Sequence, residues 1–156
     1  MEQEINQPGW CRVAEIELIY KIKPKPSDRP KVQSSKEIYD LLIGLWNHDK
    51  IDIQEEFQVL FLNRSNRVLG IYHASTGGIC STVVDVRLIL LAAVKAGACI
   101  IVLSHNHPSG NLKPSKPDED LTAKIKNAAG YLDIKVLDHV IITSDGYFSF
   151  ADEGIL

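Results

Sequence analysis

Residues 98–118 read ACIIVLSHNHPSGNLKPSKPD, and the fold is decided inside them. Ala98 to Leu103 is an apolar run with no polar alternation, the pattern of an interior strand covered on both faces. Ser104 to Pro117 is then polar and rich in Pro and Gly, as a loop would be. A polar loop just past the carboxyl end of a buried strand is where α/β proteins commonly place their sites.

Working outward, VVDVRLILLAAVKAG (83–97) is long, alanine-rich and apolar, and it ends at Gly97, a natural residue beyond a helix C-terminus. It reads as a largely buried helix. Asp118 to Tyr131 is helix-like, Ile134 to Thr143 a strand, Ser144-Asp145-Gly146 a tight turn, and Tyr147 to Phe150 a return strand. Upstream, Glu55 to Asn63, Arg64-Ser65-Asn66 and Arg67 to Ala74 spell strand, turn, strand. Before them Ser34-Ser35-Lys36-Glu37 is a capping-box spelling, followed by Ile38, Leu41, Leu42, Leu45 and Trp46 at helical spacing. Helices alternate with strands, so the predicted class is α/β with a mixed sheet.

Two N-terminal segments stand apart. Residues 12–22 alternate loosely and read as an edge strand. KPKPSDRPK (23–31) carries three prolines and four basic residues in nine positions, which reads as an extended, solvated connection. Residues 1–34 are therefore expected to be an arm and spacer, and 35–156 the folded domain.

Composition narrows the function classes. With 156 residues, 45% hydrophobic and 24% charged, the chain suits one ordinary globular domain rather than a disordered or fibrous protein. A formal net charge of −3 offers no overall basic field for nucleic acid. The start MEQEINQPGW has no export signal pattern, and no apolar run approaches the length of a membrane span, so a cytoplasmic protein without a membrane partner is expected. Cys11, Cys80 and Cys99 are odd in number and lack a CxxC spacing, which argues against a disulfide framework or a cysteine zinc site.

The chemistry concentrates in the quoted loop. In an extended backbone His105 and His107 project to the same side, and two imidazoles at that separation suit a borderline-soft divalent ion, zinc first. Asp118 follows at the expected first turn of the next helix, and Ser115, three residues earlier, has the spacing of its N-cap. Two histidines and an aspartate leave a fourth position open, as in catalytic rather than structural zinc sites, where coordinated water has a pKa of about 7. The rival reading makes Asp118 only a helix N-terminal charge.

LSHNHPSGNLKPSKPDEDLT (103–122) resembles the signature of RadC-type members of the JAB/MPN metalloenzyme family, whose JAMM motif is His-x-His, seven residues, Ser, two residues, Asp. EEFQVLFLNRSNRVLG (55–70) resembles that family's first hairpin, and LDHVIITSDGYFSFADEGIL (137–156) its closing strands. The resemblance covers about residues 35–156 and implies a cytidine-deaminase-like three-layer α/β sandwich. Deaminase chemistry itself is not implied, because no H-x-E with a following P-C-x-x-C is present.

The resemblance also implies a glutamate on an early strand. Glu55 and Glu56 point to opposite faces, so one of them can reach the metal, and the family's Glu-x-Phe spacing favours Glu55 over Glu56. The implied activity is zinc-dependent hydrolysis of a peptide or isopeptide-like amide: one zinc held by His105, His107 and Asp118, Glu55 as proton carrier, Ser115 as donor to the oxyanion. Alternatives are a DNA repair or recombination accessory, the traditional label of RadC-type proteins, and a non-catalytic interaction module. For the DNA alternative the chain offers only the 23–31 arm and scattered lysines, and it lacks the helix-hairpin-helix region of longer relatives. His139 matches a family position but reads as a core or near-surface residue, and His48 and His73 carry less functional signal still. Asn106 and Ser109 are expected to shape the loop around the metal, and Gly110 to supply a turn.

Overall fold

A computed structural model describes residues 24–78 and 83–156. The expected edge strand at 12–22, Cys11 and Cys80 lie outside the described residues.

The chain forms α1 (Ser35–Leu45), β1 (Glu56–Leu62), β2 (Val68–Thr76), α2 (Val86–Ala96), β3 (Ile100–Asn106), α3 (Lys116–Gly130), β4 (Lys135–Thr143) and β5 (Gly146–Ser149). The five strands make one sheet in the order β2-β1-β3-β4-β5. Only β3 and β4 run parallel, joined through α3, and the other neighbours are antiparallel. The apolar run at 100–103 therefore sits in the central strand, with Ile101, Val102 and Leu103 fully buried.

Alternation along the strands divides the core between the two faces of the sheet. Phe57, Val59, Phe61, Ile101 and Leu103 face α2 and α3, whose Ile89, Ala93, Ile125 and Ala129 cover them. Leu60, Leu62, Val102, Val140 and Ile142 face α1, with its Ile38 and Leu42 and the adjoining Trp46. Helix, sheet and helix pair make the three layers expected of a cytidine-deaminase-like α/β sandwich.

Helix α1 starts where the capping spelling places it: Ser34 Oγ accepts from the Glu37 N–H at 3.2 Å. The Glu37 carboxylate reaches back past the cap to the Gln33 N–H at 2.7 Å, so the reciprocal arm lands one residue earlier than expected. The buried stripe is Ile38, Leu42 and Trp46, while Leu45 is exposed. Ser34→Ala is expected to lower stability by about 1 kcal/mol in chemical denaturation, the usual contribution of a serine cap, without touching the site described below.

One expectation changes. The sequence predicts a largely buried α2, yet only Val86, Ile89 and Ala93 are buried; Leu88, Leu91 and Val94 are about half exposed. The sheet and α3 cover one side of the helix, and no described element covers the other. The spacer is also tied to the fold at its end, although residues 24–31 are exposed apart from half-buried Arg29. A short exposed 3₁₀ turn at Pro26–Asp28 leads to Pro30, whose carbonyl accepts from Val68 N–H at 2.8 Å, and to buried Val32, which donates to the Asn66 carbonyl at 3.0 Å.

Candidate metal centre

The carboxyl end of β3 and the N-terminus of α3 meet at one point. His105 is the penultimate residue of β3 and His107 follows the strand directly. Their Nε2 atoms are 2.9 Å apart. Gly110, with φ +78°, turns the chain so that the Asn111 carbonyl meets His107 Nδ1 at 2.6 Å. A carbonyl only accepts, so the neutral His107 ring carries its proton on Nδ1 and turns the Nε2 lone pair inward.

Asp118 arrives from the first turn of α3. Ser115 caps that helix by accepting from the Asp118 N–H at 3.3 Å, and the Ser115 N–H donates to Asp118 Oδ2 at 2.7 Å, completing a capping box. The Ser115 hydroxyl also donates to Asp118 Oδ2, at 2.6 Å. The carboxylate so held lies 3.3 Å (Oδ1) from His105 Nε2 and 3.6 Å (Oδ2) from His107 Nε2. His105 is buried, whereas the His107 and Asp118 side chains each keep 16% of their surface open, so the cluster has one solvent-facing side.

These three residues form a group of potential metal ligands whose donor atoms all lie within 4.8 Å of one another. Ligands on a tetrahedral zinc at about 2.0–2.1 Å stand about 3.3 Å apart, close to the 2.9 Å between the two Nε2 atoms and the 3.3 Å from His105 Nε2 to Asp118 Oδ1, with Asp118 Oδ2 3.6 Å from His107 Nε2. The donor set, two imidazoles and a carboxylate, is chemically suited to zinc as well. The residues present therefore fit a divalent ion.

Electrostatics point the same way. Burial pushes the Asp118 carboxyl up, but the neighbouring His105 and His107 imidazoles and its Ser115 bonds outweigh that and hold it far below the ordinary carboxylate range. Burial pulls the His107 imidazole down, and Asp118, the Asn111 carbonyl and Glu55 more than offset it, so its affinity for positive charge is raised. Burial pushes the Glu55 carboxyl up, against the pull of His105 and His107.

Glu55 extends the β1–β2 ladder, exchanging backbone bonds with Gly78 and Gly77 at 3.1 and 2.8 Å. It shares a face with Phe57, which stacks on His105 with ring centroids 6.0 Å apart. Glu56 is on the other face with Gln58, whose amide points to it. The strand start is fixed by Asn106, expected to shape the metal loop but turned the opposite way. Its amide donates to the Ile51 and Gln54 carbonyls at 2.7 and 2.8 Å and its oxygen accepts from Glu56 N–H at 2.7 Å. Ser109 Oγ accepts from the Asn111 N–H at 3.3 Å and supports the turn. His48 and His73 are exposed.

His139 is the core residue that the sequence reads it to be, and it also touches the cluster. Its ring is fully buried beneath the cluster, with Nε2 2.8 Å from His105 Nδ1 and Nδ1 2.5 Å from Thr122 Oγ1. Burial drives its basicity well below the ordinary imidazole value. An imidazole inside an apolar strand pattern is the available signal, and Thr122 gives none.

Among the described residues no helix is long and apolar enough to cross a membrane. The family model described as RadC-like JAB domain matches residues 32–155. A UPF0758 protein of Flavobacterium johnsoniae is 48% identical over 128 residues, 80% of this chain and 53% of the relative. One from Porphyromonas gingivalis is 49% identical over 104 residues, 66% of this chain and 46% of the relative. The UPF0758 protein YeeS of Escherichia coli is 42% identical over 103 residues, 66% of this chain and 70% of the relative. The chain spans about half the length of the first two of these relatives. Helix order, mixed sheet and sequence match agree, and the chain belongs to the RadC-like JAB domain family.

Proposed function

We propose that this domain is a zinc-dependent hydrolase of the JAB/MPN type, acting on a peptide or isopeptide-like amide. The observation that carries the reading is the convergence of His105 Nε2, His107 Nε2 and the Asp118 carboxylate, with one side open to solvent and Glu55 on the same face of the sheet. His105, His107 and Asp118 would hold the ion. When bound there, zinc supplies Lewis acidity, lowering the pKa of water and polarising a carbonyl.

The other steps belong to the chain. Glu55, whose basicity burial raises, takes a proton from the attacking water and returns it to the leaving nitrogen. Ser115 serves the developing oxyanion by rotating its hydroxyl proton away from Asp118. Its Oγ need not move, because it remains the acceptor for Asp118 N–H, and the Ser115 N–H still holds the carboxylate. The phenyl face of Phe57 against His105 excludes water from the inner side of the cluster.

Elemental analysis combined with a panel of fluorogenic peptide and isopeptide amides tests this reading. The expected result is about one zinc per chain, with Glu55→Gln retaining the metal but losing turnover by about a hundredfold. Zinc-loaded Glu55→Gln protein that cleaves every responsive amide as fast as wild type would remove Glu55 from the mechanism. No transition metal in the wild type would remove the metal.

A further inference from the structure

His139 and Thr122 are not needed to hold an ion or to move a substrate proton, yet they make a continuous polar chain behind His105. Thr122 Oγ1 lies 2.6 Å from the Asp118 backbone carbonyl, one helical turn back, and 2.5 Å from His139 Nδ1. A carbonyl can only accept, so the single hydroxyl proton of Thr122 goes to Asp118 O. Thr122 then meets His139 Nδ1 as an acceptor, which places the His139 proton on Nδ1.

The His139 ring lies against Phe150 and Phe57, with centroids 4.6 and 5.6 Å away. Its side-chain hydrogen-bond partners among the described residues are Thr122 and His105. An imidazolium buried there would have no counter-charge in contact, so the ring is neutral and its Nε2 is a lone pair. That lone pair faces His105 Nδ1 at 2.8 Å, which must therefore be the N–H. His105 is left with a lone pair on Nε2, turned toward His107 Nε2 and Asp118 Oδ1.

We infer that Thr122 and His139 form a hydrogen-bonded chain that fixes the His105 tautomer, acting as positioning residues for a divalent cation at the His105–His107–Asp118 cluster. The inference rests on the metal reading proposed above. The chain closes on itself: it starts from the backbone oxygen of Asp118 and ends opposite the carboxylate of the same residue. The helix turn that delivers the anionic ligand thus also sets which nitrogen of His105 is free to bind. The two imidazole lone pairs and the carboxylate then face one point, the arrangement that a divalent cation needs of its ligands.

The test uses ¹⁵N-histidine protein, zinc-free and at mildly alkaline pH, where imidazoles are neutral. Long-range ¹H–¹⁵N NMR reads the His105 tautomer, and titration against a chromogenic chelator reads zinc affinity. Wild type is expected to carry the His105 proton on Nδ1. Thr122→Val, which keeps the side-chain shape and removes the hydroxyl, is expected to populate both tautomers and weaken zinc by about tenfold. Thr122→Ser is expected to restore both readouts. A His105 proton on Nε2 in wild type, or Thr122→Val protein unchanged in both readouts, overturns the inference. A wild type with the Nδ1 proton and no zinc affinity upholds the chain and overturns the metal reading instead.

Discussion

Asp118→Asn protein is expected to lose zinc while keeping its fold. Asparagine retains one side-chain oxygen for the Ser115 N–H, now 2.7 Å from Oδ2, so the start of α3 survives. What disappears is the anionic ligand between two imidazoles, together with the charge that offsets the ion's own. Zinc binding at protein sites is worth about 10–16 kcal/mol over four ligands, so losing one donor costs about 4 kcal/mol, roughly a thousandfold in affinity. Elemental analysis and chelator competition give the metal, and thermal melting of the metal-free proteins reports the fold. Equal zinc retention in mutant and wild type would return Asp118 to the role of a helix-terminal charge.

The largest loss of stability is expected at Asp138. This carboxylate is buried and accepts from Ser149 Oγ at 2.6 Å, the His139 N–H at 2.7 Å and the Ala151 N–H at 3.0 Å. It ties β4 to the end of β5 and holds the backbone from which His139 projects. Alanine leaves three donors unanswered, each worth about 1–3 kcal/mol when buried, so Asp138→Ala should destabilise by about 4 kcal/mol in urea unfolding. A loss below about 1 kcal/mol would mean that the donors find water instead.

The same residue gives a pH signature. Burial raises the Asp138 carboxyl above the ordinary value of 3.8, against the bonds from Ser149, Ala151 and His139. The folded chain therefore holds this proton more tightly than the unfolded chain. Its contribution to stability is fully present below 3.8 and is lost as pH rises through the folded value. A carboxamide at this position does not titrate, so the advantage of wild type over Asp138→Asn should be widest in acid and narrow with rising pH. An advantage that grows with pH would reverse the sign assigned to burial.

Much of this was legible in the sequence because local signals agreed with the fold. The unalternating run at 100–103 could only be central, Ser34 and Ser115 spelled their helix starts, and Gly97 spelled an end, adopting φ +67°. His105, His107 and Asp118 lie within fourteen residues, so strand geometry and one cap were enough to bring them together. Alternation separated Glu55 from Glu56, and the choice of Glu55 came from the family's Glu-x-Phe spacing.

What was missed needed tertiary information. Alanine and leucine on every side of α2 describe a helix that can be buried, not one with partners on every side. The contact of buried His139 with His105 depends on a β-bulge. Ile101 pairs with Val136 and Val102 with Asp138, so Leu137 is an extra residue that resets the alternation of β4. Without it His139 would face α1 instead of His105. The Ser115 hydroxyl donates to Asp118, a bond that no sequence spacing announces and that its oxyanion role would exchange by rotation.

Asn106 has one more consequence. One amide group that belongs to β3 grips the chain on both sides of Glu55, through bonds to Ile51, Gln54 and Glu56. When the exposed turn at residues 47–50 frays with heat, the bonds at Ile51, Gln54 and Glu56 are expected to keep the carboxylate from fraying with it. The carboxylate stays in register with the imidazoles until the central strand itself opens, so base and ligands share one melting unit although fifty residues of chain separate Glu55 from His105.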